Sequence, residues 1–126
     1  MTVMDIRPKV TAALGRSTDW TPACMMGDLI PGRGVAVLMR GGDQAALFRL
    51  ADDSLRAVGN IDPYAFAAVM SRGIVGDRAG EPTVASPLLK QVFSLESGVC
   101  LDDPSHALPV YRVRVVDGVV QVAHGG

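Results

Sequence analysis

Short apolar runs alternate with polar positions along most of this chain, and turn residues cut them at close intervals. Residues 19–24 predict a first strand. Leu29-Ile30-Pro31-Gly32-Arg33-Gly34 is punctuation, with a Pro-Gly pair and a further glycine. Val35, Val37 and Met39 alternate as a second strand, and Gly41-Gly42-Asp43 turns the chain. Ala46, Phe48 and Leu50 line one face of a third strand. Asp52-Asp53-Ser54 turns again into a strand over residues 55–59, so this stretch predicts a β-meander. Residues 60–80 carry a proline, three glycines and no sustained alternation, and predict a long loop with one helical turn over residues 65–70. Residues 83–86 predict a short strand, and Pro87-Leu88-Leu89-Lys90 a second, tighter loop. Residues 91–95 form the next strand, with a Glu96-Ser97-Gly98 turn into a strand over residues 99–101. Tyr111, Val113 and Val115 share one face of the last hairpin, with Arg112 and Arg114 on the other. Asp117-Gly118 suits a tight turn whose two central residues both take positive φ, and residues 119–123 return. The expectation is an all-β domain of about nine or ten short strands over residues 18–126, preceded by a flexible tail over residues 1–17.

Composition narrows the function classes. The chain has 126 residues, 12 basic against 13 acidic, for a net charge of −1. Nucleic-acid binding is not expected, because counterion release needs an excess of Lys and Arg, and Trp20 with two tyrosines makes no stacking platform. At 48% hydrophobic residues the chain is too apolar for disorder. Neither a signal peptide nor a membrane span is evident, so a cytoplasmic location is expected. Cys24 and Cys100 are the two cysteines, His106 and His124 the two histidines. They form no Cys-x-x-Cys, Cys-x-His or Cys-x-x-His pair. Both histidines are expected at the surface without a useful carboxylate or thiol partner, and both cysteines as buried thiols, a single disulfide between them being the alternative. Asp102-Asp103-Pro104 reads as a turn rather than a cation loop with Asp62. Ser86 and Ser97 lack a G-x-S-x-G elbow, and Pro-Gly-Arg-Gly lacks the spacing of a phosphate loop.

The two interrupting loops carry the specific signal. The first begins Gly59-Asn60-Ile61-Asp62-Pro63. The second reads Ser86-Pro87-Leu88-Leu89-Lys90-Gln91, followed by a Ser-Gly turn and Cys100-Leu101-Asp102-Asp103-Pro104. This layout resembles a Rieske domain, a β-sandwich with two cluster loops at one tip. In a cluster-bearing Rieske domain the first loop carries Cys-x-His and the second Cys-x-x-His, giving two thiolates to one iron and two imidazoles to the other. The corresponding positions here are Asn60, Asp62, Ser86 and Leu89, a set without sulfur or imidazole donors.

With Asn-x-Asp in the first loop and Ser-Pro-x-Leu in the second, the chain resembles the small subunit of assimilatory NAD(P)H-dependent nitrite reductase from about Trp20 to Ala123. Leu29–Val35, Ala46–Arg49, Ala57–Pro63 and Val69–Gly76 add to the likeness. The resemblance implies a non-catalytic accessory subunit without a cluster. Its partner large subunit would carry FAD, a four-iron four-sulfur cluster and sirohaem, and reduce nitrite to ammonia with NAD(P)H. Two other readings compete: a Rieske electron carrier, and a stand-alone β-sandwich module binding a protein or a small ligand.

Two expectations follow for the tip. Asn60, Asp62 and Ser86 hydrogen-bond across the gap that a cluster would bridge, with Leu89, Pro63 and Phe93 packed beneath. Met70, Arg72, Ile74, Arg78, Leu88 and Lys90 form a mixed basic and apolar docking surface, with Arg33 in Pro-Gly-Arg-Gly a further basic candidate.

Overall fold

The computed structural model describes residues 19–125; the tail expected over residues 1–17 lies outside them. The described residues form eleven strands: β1 (Thr21–Met25), β2 (Gly34–Leu38), β3 (Gln44–Arg49), β4 (Leu55–Gly59), β5 (Ile61–Asp62), β6 (Ala67–Ala68), β7 (Ile74–Arg78), β8 (Glu81–Ala85), β9 (Val92–Ser94), β10 (Val110–Val116) and β11 (Val119–His124). Six of them form one antiparallel sheet in the order β1-β11-β10-β4-β3-β2. A three-stranded sheet, β7-β8-β9, and the small β5-β6 ladder form the tip side of the molecule.

The expected meander is β2-β3-β4, in register from Gly34↔Phe48 to Arg49↔Leu55. Its central strand is buried on both faces. Ala46 and Phe48 point into a cluster with Val58, Met70, Val84, Phe93, Leu95 and Cys100, which joins the large sheet to the small one. Ala45 and Leu47 point the other way, toward Val37, Tyr111, Val120 and Val122. The four side chains of residues 45–48 are fully buried, so β3 is a continuous apolar run, as a strand covered on both sides must be. The final hairpin turns at Asp117 and Gly118 with φ of 51° and 80°. The arginine face of β10 is not merely solvated, because the Arg112 and Arg114 guanidiniums lie 4.9 and 4.1 Å from the Trp20 ring centre, a cation–π stack ahead of β1.

The expected loop over residues 60–80 is the main correction. It holds the β5-β6 ladder, a 3-10 turn at Met70–Arg72 in place of a helical turn over residues 65–70, and all of β7. β7 is an edge strand paired only to β8, with four of its five residues exposed. One-sided pairing removes the alternation by which a strand is recognised. Conversely, residues 99–101 form isolated bridges, Phe93↔Cys100 and Val99↔Ala107, rather than a strand.

Candidate functional site

The two loops are built alike. In the first, the Phe66 amide donates to the Asp62 carbonyl (2.7 Å), and in the second the Lys90 amide donates to the Ser86 carbonyl (3.1 Å). Each turn closes on a left-handed residue, Phe66 at φ 56° and Lys90 at φ 68°. Each is capped by its own first side chain. Asp62 Oδ1 accepts from the Tyr64 and Ala65 amides (2.8 and 3.2 Å), and Ser86 Oγ accepts from the Leu88 amide (3.3 Å). Short polar side chains hold turns in this way because they reach the amides two or three residues on.

The two capping residues then meet. Ser86 Oγ donates to Asp62 Oδ2 at 2.5 Å, with both side chains buried. This hydrogen bond spans the gap between the loops, as expected for Asp62 and Ser86. Asn60 does otherwise: its Oδ1 accepts from the Ser71 amide (2.7 Å) and its Nδ2 donates to Gln44 Oε1 (3.2 Å). It ties the first loop to the 3-10 turn and to β3, not to the second loop. Leu89 does not pack beneath the tip; it is 50% exposed, while Phe93 is fully buried and Pro63 half-buried. The position after Leu88 turns outward ahead of the left-handed Lys90. Leu89→Asp is therefore expected to change stability by less than about 0.5 kcal/mol, as exposed substitutions do. A urea titration checks this, and a loss of several kcal/mol would restore a buried role.

The residues at the four positions do not fit a two-iron cluster. Leu89 has no donor, Asp62 and Ser86 are committed to each other, and Asn60 is used on both sides of its amide. The cysteines stand elsewhere. Cys100 is fully buried in the core under Tyr64, as expected, but Cys24 on β1 is only half-buried, where partial burial first and Asp28 second push its thiol pKa up. Both are free. Among the described residues no three His, Cys, Asp or Glu side chains group so as to hold a metal ion.

Both histidines have the carboxylate partner that sequence spacing did not reveal. His124 Nε2 lies 2.8 Å from Asp43 Oδ2, across 81 residues, and His106 Nδ1 lies 3.0 Å from Asp103 Oδ2. Asp102 and Asp103 do not join Asp62: Asp102 pairs with Arg78 at 3.3 Å. Asp103 accepts from Ser105 Oγ (2.6 Å) and Tyr64 Oη (2.9 Å), and Tyr64 stacks on His106 at 4.3 Å between ring centres. The Ser105 hydroxyl first, then Tyr64, the Ser105 amide and His106 hold the Asp103 carboxyl down at about 2. A carboxyl depressed in the folded state stabilises above its unfolded value, and that contribution fades as pH falls from about 4 toward 2. Asp103→Asn is expected to flatten the acid limb of the stability profile in that window, read by urea midpoints at stepped pH.

The docking candidates divide. Met70 is fully buried in the main core cluster, so it is not a surface residue. Ile74, Leu88, Arg72 and Lys90 are exposed, and Arg78 is exposed but paired with Asp102. The sequence reading missed Ile61 and above all Phe66, which is 82% exposed on the first loop. No signal short of its left-handed backbone would have shown that this aromatic faces outward.

Fold and site together define a Rieske-type domain whose two tip loops are joined by the Asp62–Ser86 hydrogen bond. Residues 19–123 match the family described as Rieske-like [2Fe-2S] domain. The nitrite reductase (NADH) small subunit of Salmonella typhimurium strain LT2 is 44% identical over 106 residues, which cover 83% of this chain and 97% of that protein. The crystal structure of an NADH-dependent nitrite reductase small subunit from Mycobacterium tuberculosis superposes with a TM-score of 0.82 at 59% identity, covering 85% of this chain and 96% of that one. The chain belongs to the nitrite reductase small subunit family. A third relative, the nitrite reductase [NAD(P)H] large subunit of Klebsiella oxytoca, is 38% identical over 108 residues, 86% of this chain but 11% of that protein.

Proposed function

We propose that this chain is a non-catalytic accessory subunit of an NAD(P)H-dependent nitrite reductase. It associates with a large subunit that carries FAD, a four-iron four-sulfur cluster and sirohaem and reduces nitrite to ammonia in the cytoplasm. The observation that supports this reading is the Asp62–Ser86 hydrogen bond between the two loops, the loops that the resemblance aligns with those holding the metal in a cluster-bearing Rieske domain. The fold is retained while the redox centre is replaced by a structural contact. The Klebsiella relative supports the partnership, because there a matching domain is part of a chain named large subunit. No helix among the described residues is long and apolar enough to cross a membrane.

The tip supplies a docking surface: Ile61, Phe66, Leu88 and Leu89 are exposed apolar side chains on the two clasped loops, with Lys90 beside them. Phe66 sits in a backbone conformation that costs a non-glycine residue roughly 1 kcal/mol. An exposed aromatic held in strain is explained by binding rather than by folding. Phe66→Gly is expected to leave stability unchanged or raise it by up to about 1 kcal/mol, while weakening association with the large subunit about tenfold. Denaturant unfolding and a binding titration read the two effects separately.

The test of the function is nitrite-dependent NAD(P)H oxidation by the large subunit with and without this chain, beside iron analysis of the purified chain. The expected result is a colourless, iron-free protein that raises the activity or the thermal stability of the large subunit. An iron-containing, coloured chain would establish an electron carrier. Absence of any association would leave a stand-alone binding module.

A further inference from the structure

A groove of about 440 Å³ has Arg33, Gly34, Ser71, Arg72, Gly73 and Ile74 among its lining residues. Arg33 and Arg72 are exposed, and neither guanidinium has an ion pair or hydrogen-bond partner among the described residues. Other arginines are engaged: Arg49 with Asp53, Arg56 with Glu96, Arg78 with Asp102, and Arg112 and Arg114 with Trp20. The two unpaired guanidiniums come from segments far apart in sequence. They share a groove because residue 34 is a glycine: a Cβ there would lie 2.5 Å from Phe48 Cε1 and 2.7 Å from the Ser71 carbonyl oxygen. Glycine lets β2 sit directly against the 3-10 turn, and Asn60 fixes that turn through the Ser71 amide. The residue at a cluster-thiolate position thus helps to present Arg72.

We propose that this groove receives a carboxylate-bearing segment of the large subunit, an Asp or Glu side chain flanked by apolar residues. The inference rests on the accessory-subunit reading above. Two unpaired guanidiniums lining one groove suit a carboxylate. The backbone argues against a phosphate cradle, since five of the amides lining the groove are already spent. Gly32 donates to the Arg49 carbonyl, Arg33 to Ile30, Ser71 to Asn60 Oδ1, Arg72 to Val69 and Gly73 to Met70. A phosphate site built on backbone needs such amides free. The exposed Ile74 in the lining, 68% accessible, fits the mixed character of a protein interface rather than a small-anion site.

The experiment measures binding of the full chain to the purified, cofactor-loaded large subunit by interferometry, at low and high salt. Wild type is compared with the Arg33→Glu/Arg72→Glu pair. The pair is expected to raise Kd about tenfold or more, largely by slowing association, and to lose most of the salt dependence. Neither arginine is engaged in the fold, so the melting temperature is expected to hold. The Arg33→Ala/Arg72→Ala pair, which removes charge without adding any, gives the same ordering should reversal disturb the fold. If wild type binds and both pairs bind within twofold of it, the groove is not the carboxylate site, and the accessory-subunit reading stands. If wild type itself fails to bind, that reading falls and the inference with it. Inorganic phosphate is titrated in parallel while the Ser71–Gly73 amides are followed by NMR. Saturation well below millimolar would replace the protein carboxylate with a free oxyanion ligand and overturn the proposal.

Discussion

Asp62→Ala is expected to destabilise the domain by about 3 kcal/mol, the sum of several buried groups left without partners. The carboxylate accepts from the Tyr64 amide, the Ala65 amide and the Ser86 hydroxyl, and it is wholly buried. Alanine removes all three acceptor contacts at once and leaves a small void between the loops. Asp62→Asn separates shape from charge. Its Oδ1 still serves the two amides, and its Nδ2 can donate to a Ser86 oxygen that then accepts, so a loss of about 1 kcal/mol is expected. Ser86→Ala breaks the same bridge from the other side. A double-mutant cycle between Asp62→Ala and Ser86→Ala is expected to show coupling of at least ~1 kcal/mol, as residues in one buried hydrogen bond do. Urea unfolding gives these numbers. Hydrogen exchange adds a local readout, since the Phe66 and Lys90 amides should both lose protection in the Asp62→Ala protein. An alanine variant within about 0.5 kcal/mol of wild type, the range of a neutral surface change, would show that the clasp does not hold the loops.

A still larger effect is expected away from the tip. Gly98→Ala should cost roughly 4 kcal/mol or abolish folding, because strain and a hard clash coincide. Gly98 is buried at φ 80°, and a Cβ there would stand 2.1 Å from the Leu108 carbonyl oxygen and 3.0 Å from Val110 Cγ2. The backbone cannot retreat easily. The Gly98 amide donates to the Ser94 carbonyl, and the Gly98 carbonyl accepts from the Leu108 amide. Gly80→Ala is the matched control, with φ 90° and nothing within 4 Å of the added atom. It should cost only the roughly 1–2 kcal/mol of left-handed strain. Urea midpoints, or soluble yield if Gly98→Ala does not fold, distinguish the two. Equal losses at both positions would mean that backbone conformation alone sets the effect.

Legibility in the sequence followed how local each feature is. The β2-β3-β4 meander and the β10-β11 hairpin were readable because alternation and an Asp-Gly turn act within a few residues. β7 was not, because an edge strand with one partner and little burial leaves no alternation to read. Met70 reads as a surface residue because it stands among loop residues, yet the 3-10 turn drives it into the core beside Phe48 and Phe93. Leu89 was placed underneath because it is apolar, yet the second loop turns it out. Phe66 has no signal at all, since no pattern marks an exposed aromatic in the short loop between β5 and β6.

The sequence by itself determined that Asn60, Asp62, Ser86 and Leu89 bring neither sulfur nor imidazole, because donor atoms are a property of each side chain. It also determined the all-β class, because alternation and turn chemistry are short-range. Only the tertiary structure decided what those residues do instead. The Asp62–Ser86 bond joins groups 24 residues apart, and the Asn60 contacts reach back to Gln44 and forward to Ser71. The Arg33 and Arg72 pairing likewise exists only once β2 is laid against the 3-10 turn. Such partnerships depend on how strands curl and loops close in three dimensions, and no spacing along the chain encodes them.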